Sequence, residues 1–213
     1  YSEMMAHIPL CAHPAPGSVL IVGGGDGAVL REVLRHPCVT RAVLVDIDEQ
    51  VIEASRRFLP SIASSMDDPR AEVRHTDAIE YIRNTHGEFD VAIVDSTDPV
   101  DFAAGLFEAP FYRDLRQALR EDGMVIAQTE SPFSDASVVK GAYDALRRVF
   151  PEVRLCWGAM PTYPTGMWTY TVGSSSYDPS VPVRSCPPGT RYYTPDVHRA
   201  AFALPAFLSE LIR

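Results

Sequence analysis

The chain has 213 residues, 19 basic against 28 acidic side chains for a net charge of −9, and 46% hydrophobic residues. This fits one ordinary globular domain with enough core to need no covalent staples, and excludes disordered, collagen-like and disulfide-framework chains. The acidic balance, with Lys140 the sole lysine, argues against nucleic acid and leans toward a cationic partner.

From Ser18 the sequence alternates strand and helix. An apolar run from Ser18 to Val22 is followed by a glycine turn and a helix with Val29, Leu30, Val33 and Leu34 on one face, ended by Pro37. Ala42 to Asp46 is the second strand, and Glu49 to Leu59 a helix closed by Pro60. Ser61 to Pro69 reads as a polar loop, Ala71 to His75 as a strand, Asp77 to Arg83 as a helix. Phe89 to Asp95, apolar on both faces, has the character of a central parallel strand. A helix around Phe111 to Leu119, a strand from Met124 to Thr129 and a helix from Ala136 to Phe150 follow. Strands near Val153 to Trp157 and Trp168 to Val172 end the alternation. The proline-rich tail from Ser174 wanders before helical patterns return at Asp196 to Leu204 and Ala206 to Ile212.

This order predicts an α/β, Rossmann-like fold: a mostly parallel sheet with helices on both faces, residues 1–213 forming one domain and 173–213 a tail packed on it. Cys11, Cys38, Cys156 and Cys186 lack metal-ligand spacing and read as reduced thiols. No apolar run or leader suggests a membrane or export, so a soluble, cytoplasmic protein is expected.

In such sheets ligands bind at the carboxyl ends of the strands, where strand order reverses. Gly23-Gly24-Gly25-Asp26-Gly27-Ala28 satisfies GxGxxG/A, but Asp26 would repel a pyrophosphate. Its charge suits a ligand with a nucleoside end and a cationic end, although Asp26 could simply cap the helix. Asp46 is placed for two ribose hydroxyls, with Asp48 the natural cap that leaves Asp46 free; Asp77 either caps its helix or accepts an adenine amino group. Asp95-Ser96-Thr97-Asp98-Pro99 sets two carboxylates on the central strand's end, preferred here as a cation clamp over a proton-sharing dyad or metal site. Tyr163, in the turn-rich Pro161 to Gly166, could face an alkyl amine. Trp168 and Tyr170 read as core, His198 as structural.

These pieces, with Tyr1-Ser2-Glu3-Met4, Leu30-Arg31-Glu32-Val33, Val45-Asp46-Ile47-Asp48, Pro161-Thr162-Tyr163-Pro164 and Tyr192 to Phe202, strongly resemble the spermidine synthase (aminopropyltransferase) family from the first residue nearly to the last. The resemblance implies a methyltransferase-like Rossmann fold and transfer of an aminopropyl group from decarboxylated S-adenosylmethionine, a co-substrate, to putrescine, with no metal or prosthetic group and with a homodimer as the assembly. It implies Asp95 as proton acceptor supported by Tyr1. It gives Asp98 and Tyr163 to the diamine, Asp26 to the aminopropyl ammonium, Asp46 to the ribose, and Asp77 with Ala78 to adenine. Gly25, Ser2, Ser96 and Phe102 complete the expected substrate contacts.

Three departures stand out. Ser2 replaces the usual His or Gln, Val100-Asp101-Phe102 replaces the usual continuation of the loop after Pro99, and the family's N-terminal β-domain has no counterpart before Tyr1. Rival readings are an aminopropyltransferase for another amine, an S-adenosylmethionine methyltransferase, a nicotinamide dehydrogenase and a non-catalytic polyamine or nucleoside binder. The paired Asp95 and Asp98 favour aminopropyl transfer over methyl transfer, and the acid at position 26 opposes a dehydrogenase's pyrophosphate.

Overall fold

The structure, a computed structural model, describes residues 1–96, 105–106, 108–163 and 165–213. The buried apolar runs form strands β1 (Ser18–Gly23), β2 (Arg41–Asp46), β3 (Ala71–His75), β4 (Phe89–Asp95), β5 (Leu119–Gln128), β6 (Glu152–Met160) and β7 (Gly166–Ser174). They make one sheet in the order β3-β2-β1-β4-β5-β7-β6. The first five of that order pair in parallel, and β7 runs antiparallel to both β5 and β6.

Alternate strand residues face opposite sides, so each side of the sheet needs its own cover. Val19, Ile21, Leu44 and Ile93 meet helices α1 (Ser2–Ala12) and α2 (Ala28–Leu34) through Met5, Ile8, Val29 and Val33. Leu20, Val22, Val43 and Val94 lie on the other side, in a core with Phe111, Leu115 and Leu146. Their helices are α6 (Ala109–Ala118) and α7 (Ala136–Arg147). The remaining helices are α3 (Glu49–Phe58), α4 (Pro60–Ala63), α5 (Ala78–Arg83), α8 (Pro195–Ala201) and α9 (Ala206–Leu211).

Two local expectations are corrected. The stretch expected as a polar loop from Ser61 to Pro69 opens with α4 and a 3₁₀ turn, Ser64–Asp67. Pro60 stands at the start of α4, where a missing N–H costs no helical bond. Helix α1 had no place in the sequence reading. Met4 to Ala12 are all buried, so the helix shows no apolar stripe, and Pro9 within it reads as a breaker.

A buried polar cluster fastens α1 to α2. His7 Nε2 lies 3.3 Å from Glu32 Oε2, and His7 Nδ1 lies 2.9 Å from His36 Nε2. Arg35 and Arg31 donate to the same Glu32 carboxylate at 2.6 and 3.0 Å. Burial works to raise this carboxyl, but the bonds from His7, Arg35 and Arg31 outweigh it and hold it at about 2. Its stabilising effect is therefore complete above the ordinary carboxylate range and fades as the pH falls through about 2. Glu32→Gln should lower stability by about 2 kcal/mol at pH 7, because the charge-assisted bonds from His7 and from the partly exposed Arg31 and Arg35 are lost. Urea unfolding checks this, with the gap between variant and parent closing toward pH 2.

Candidate active site

The reversal of strand order falls between β1 and β4, so the crevice opens at the ends of β1, β2 and β4. There the glycine turn after β1 lies against the two acids that end the neighbouring strands. Gly24 N–H donates to the Asp95 carbonyl at 3.0 Å, and Gly24 has φ of +67°. A Cβ at Gly24 would stand 2.7 Å from Asp95 Oδ2, and one at Gly25 only 2.6 Å from Asp46 Oδ2. The bare turn thus makes room for two carboxylates.

The Tyr1 hydroxyl donates to Asp95 Oδ1 at 2.6 Å. Burial, followed by the fields of Asp26 and Asp46, pushes the Asp95 carboxyl up to about 7 against the opposing bond from Tyr1. The Tyr1 phenol is itself raised by burial and by the Asp95 charge, so it remains a proton donor to the carboxylate. The pair thus sets a carboxyl raised toward neutrality against a phenol that keeps its proton.

Asp46 is not free, contrary to expectation. Its Oδ2 accepts from Gly25 N–H at 2.8 Å and its Oδ1 from Asp48 N–H at 2.9 Å, so two amides fix the carboxylate while each oxygen keeps a further lone pair. Asp48 caps α3 as expected, through Gln50 N–H. Asp77 caps α5 through Ile79 N–H at 2.7 Å, whereas Asp26 accepts from Ala28 N–H at 2.9 Å one residue before the α2 cap, Gly27. Ala78 opens α5 and Ser2 opens α1. Asp98 and Phe102, with Asp101, lie outside the described residues.

Aromatic rings wall the same end. The Tyr163 ring lies 4.3 Å from that of Trp168 and 6.2 Å from that of Tyr1, and Tyr1 also meets Tyr170 at 5.9 Å. Trp168 and Tyr170 are core residues, but Trp168 does more than fill space. Its indole N–H donates to Gln128 Oε1 at 3.2 Å, and Gln128 Nε2 donates to the Ser96 carbonyl and to Glu130 Oε1, each at 3.1 Å. Glu130 is the one non-glycine with positive φ, +69°, among the described residues. Thr169 donates to its carbonyl through both N–H, 2.9 Å, and Oγ1, 2.8 Å. Sequence reasoning missed Gln128 and Glu130. Gln128 ends β5 and Glu130 stands two residues beyond it, so the rule applied to the other parallel strands would have found them.

His198 is buried with Nε2 2.8 Å from the Pro179 carbonyl and Nδ1 2.7 Å from the Tyr193 hydroxyl, which accords with a structural part. All four cysteines are free thiols. Among the described residues no group of three or more His, Cys, Asp or Glu is placed to hold a metal ion, and no helix is long and apolar enough to cross a membrane.

This geometry has close counterparts. The spermine/spermidine synthase domain family matches residues 1–184. A polyamine aminopropyltransferase of Caldicellulosiruptor bescii is 49% identical over 215 aligned positions, covering all of this chain and 77% of that protein. That of Bacillus subtilis is 47% identical, covering all of this chain and 78% of that one. Among solved structures, a spermidine synthase in complex with the transition state analogue AdoDATO superposes with a TM-score of 0.96 at 45% identity, over all of this chain and 74% of that one. The spermidine synthase from Thermotoga maritima gives 0.92 at 43% identity, over all of this chain and 73% of that one. With a Rossmann-like sheet whose switch point carries Tyr1, Asp26, Asp46 and Asp95, and with these relatives along its whole length, the chain belongs to the spermine/spermidine synthase family of aminopropyl-transferring enzymes.

Proposed function

We propose that this enzyme transfers the aminopropyl group of decarboxylated S-adenosylmethionine to putrescine, releasing methylthioadenosine and spermidine. The observation that carries the reading is the Tyr1–Asp95 pair: a carboxylate pushed up to about 7, beside Asp26 and Asp46, at the switch point of the sheet. The solved complex of a similar spermidine synthase with a transition state analogue supports it.

In the proposed step a neutral amine nitrogen attacks the aminopropyl carbon bound to sulfur. A C–N bond forms, the C–S bond breaks, and its electron pair neutralises the sulfonium to a thioether. An alkyl amine with pKa near 10.4 holds its proton at pH 7, and removing it costs about 4–5 kcal/mol. Asp95 receives that proton; the neighbouring positive charges of the donor lower the amine's own pKa by repulsion. Asp26 pairs with the aminopropyl ammonium, Asp46 with the ribose hydroxyls, and Asp77 with Ala78 with adenine. Asp98 and Tyr163 hold the far end of the diamine and so fix the line of attack. Ser2, Gly25, Ser96 and Phe102 complete the lining. The step uses no metal, the whole chain serves as one catalytic domain with residues 173–213 as its tail, and a cytoplasmic homodimer is the form in which it works.

Incubation with decarboxylated S-adenosylmethionine and a panel of diamines, read by mass spectrometry, tests this. Methylthioadenosine should appear together with putrescine heavier by one aminopropyl unit. A methylated acceptor, or an aminopropyl product only on a different amine, would displace the reading.

A further inference from the structure

The Tyr1 hydroxyl reaches Asp95 from the very start of α1, the part of a helix least restrained by its own hydrogen bonds. Something outside the helix must hold that first turn. Glu3, two residues on, lies in an unusual seat. Its Oε1 accepts from Arg191 N–H, and its Oε2 from Tyr192 N–H and Tyr193 N–H, all at 2.8 Å. Three successive amides almost the full length of the chain away thus converge on one side chain. Burial alone would raise the Glu3 carboxyl, yet the amides outweigh it and hold it below the usual range.

The seat itself is braced on several sides. His198 presents Nε2 to the Pro179 carbonyl, a pure acceptor, so its proton is there and its Nδ1 accepts the Tyr193 hydroxyl. Thr190 Oγ1 donates to the Tyr193 carbonyl at 2.7 Å. The Tyr192 hydroxyl accepts from Ala159 N–H at 2.8 Å, which ties the same turn to the end of β6 beside the Tyr163 loop. The turn is thus braced by His198, Thr190 and β6 and also meets the middle of α1 through the Tyr193 and His7 rings, 5.2 Å apart, while Glu3 is its hydrogen-bonded link to the first turn that carries Tyr1.

We propose that Glu3 is a positioning residue for aminopropyl transfer: seated on the amides of Arg191, Tyr192 and Tyr193, it sets the first turn of α1 so that the Tyr1 hydroxyl stays on Asp95. The proposal rests on the reading of Asp95 as the proton acceptor. A role confined to stability would lower the melting temperature and leave the chemistry of Asp95 unchanged; a positioning role reaches the carboxylate itself.

Among the described residues the groups that face Asp95 are the Tyr1 hydroxyl from α1, Asp26 from the turn after β1, Asp46 from β2 and the Tyr170 hydroxyl from β7. Of these, the Glu3 seat controls only Tyr1. Carbon-13 NMR of labelled aspartate carboxyls in the whole chain reads the Asp95 titration directly, without turnover. Tyr1→Phe removes a bond that lowers this pKa, so the titration should move up by about 0.7 pH units, the equivalent of one net hydrogen bond. Glu3→Gln, which sets an amide NH₂ against at least one of the three N–H donors, should move it in the same direction. The pair of substitutions together should give hardly more than Tyr1→Phe alone. Turnover by Glu3→Gln should fall about tenfold in kcat with donor KM nearly unchanged. If Glu3→Gln does not fold, Arg191→Pro removes one of the three donors and keeps the carboxylate, and it should give a smaller move of the same sign. An unmoved Asp95 titration in a folded Glu3→Gln or Arg191→Pro variant, alongside a moved one in Tyr1→Phe, overturns the proposal and leaves the proton acceptor standing. An unmoved titration in Tyr1→Phe likewise overturns the proposal, and an Asp95 that titrates with the ordinary carboxylates in the parent chain overturns the reading of it as proton acceptor.

Discussion

Asp95→Asn should lower kcat about a thousandfold, the middle of the range for a lost general base, with the affinity for the donor changed only severalfold. The same substitution should make the protein more stable. Folding takes the Asp95 carboxyl from the ordinary range near 4 up to about 7, so the folded state favours its protonated form. With a raised pKa, the favourable contribution is complete below about 4 and disappears as the pH climbs through 7. Above pH 7 the chain therefore carries a penalty of about 2–4 kcal/mol for holding this carboxylate ionised, with Asp26 and Asp46 adding to the cost. Asn cannot ionise and still accepts the Tyr1 hydroxyl. Urea unfolding at pH 8 should show the variant stabilised by about 2 kcal/mol or more, and the advantage should shrink to nothing at pH 4. A variant that loses turnover without gaining stability at pH 8 would show that Asp95 is not held against its own ionisation. Stability given up for a reactive group is a common bargain at active sites.

Asp46→Asn should weaken the donor about 30- to 100-fold, read as KM in turnover or as Kd by calorimetry, with kcat little changed. The carboxylate already receives Gly25 N–H and Asp48 N–H, one on each oxygen, and in the proposed function the ribose hydroxyls would take the lone pairs that remain. In Asn one of those oxygens becomes an NH₂ group facing an amide N–H that it cannot satisfy. A charge-assisted bond to the nucleoside goes with it, worth about 2–3 kcal/mol. The loss is of binding shared by ground and transition states, hence its appearance in KM. A drop in kcat at unchanged KM would instead place Asp46 at the reacting atoms.

What the sequence made legible follows from where each signal lives. Strands β1 and β4 announced themselves because a strand covered on both faces must be apolar throughout, and Val91 to Val94 leave no other reading. The acids were legible because an α/β sheet fixes where its ligands bind before any side chain is placed. Asp95 and Asp46 could be located by that rule, but not their surroundings: that Tyr1 meets Asp95, or that Asp46 is tethered by Gly25, depends on contacts across 94 and 21 residues. Helix α1 was invisible for the opposite reason to a surface helix, since Met4 to Ala12 are enclosed on every side and periodicity needs an exposed face to contrast with. Glu130 was passed over because a positive φ on a glutamate leaves no trace in composition; it is imposed by Thr169 from a neighbouring strand. Glu3 looked like one letter of a motif, and its purpose depends on amides at the far end of the chain.

Gly25 lies outside the left-handed region, so its backbone would suit any residue. What keeps a methyl group out is the Asp46 carboxylate, 2.6 Å from where the carbon would be, and Val51 Cγ1 at 3.2 Å. The glycine is thus the imprint of an acid on another strand. In the evolutionary record the two positions should change together: a descendant carrying alanine at 25 must have moved or discarded the Asp46 carboxylate, and with it the proposed grip on a ribose. A single letter in the turn would then report, from sequence alone, which members of a lineage had abandoned a nucleoside substrate.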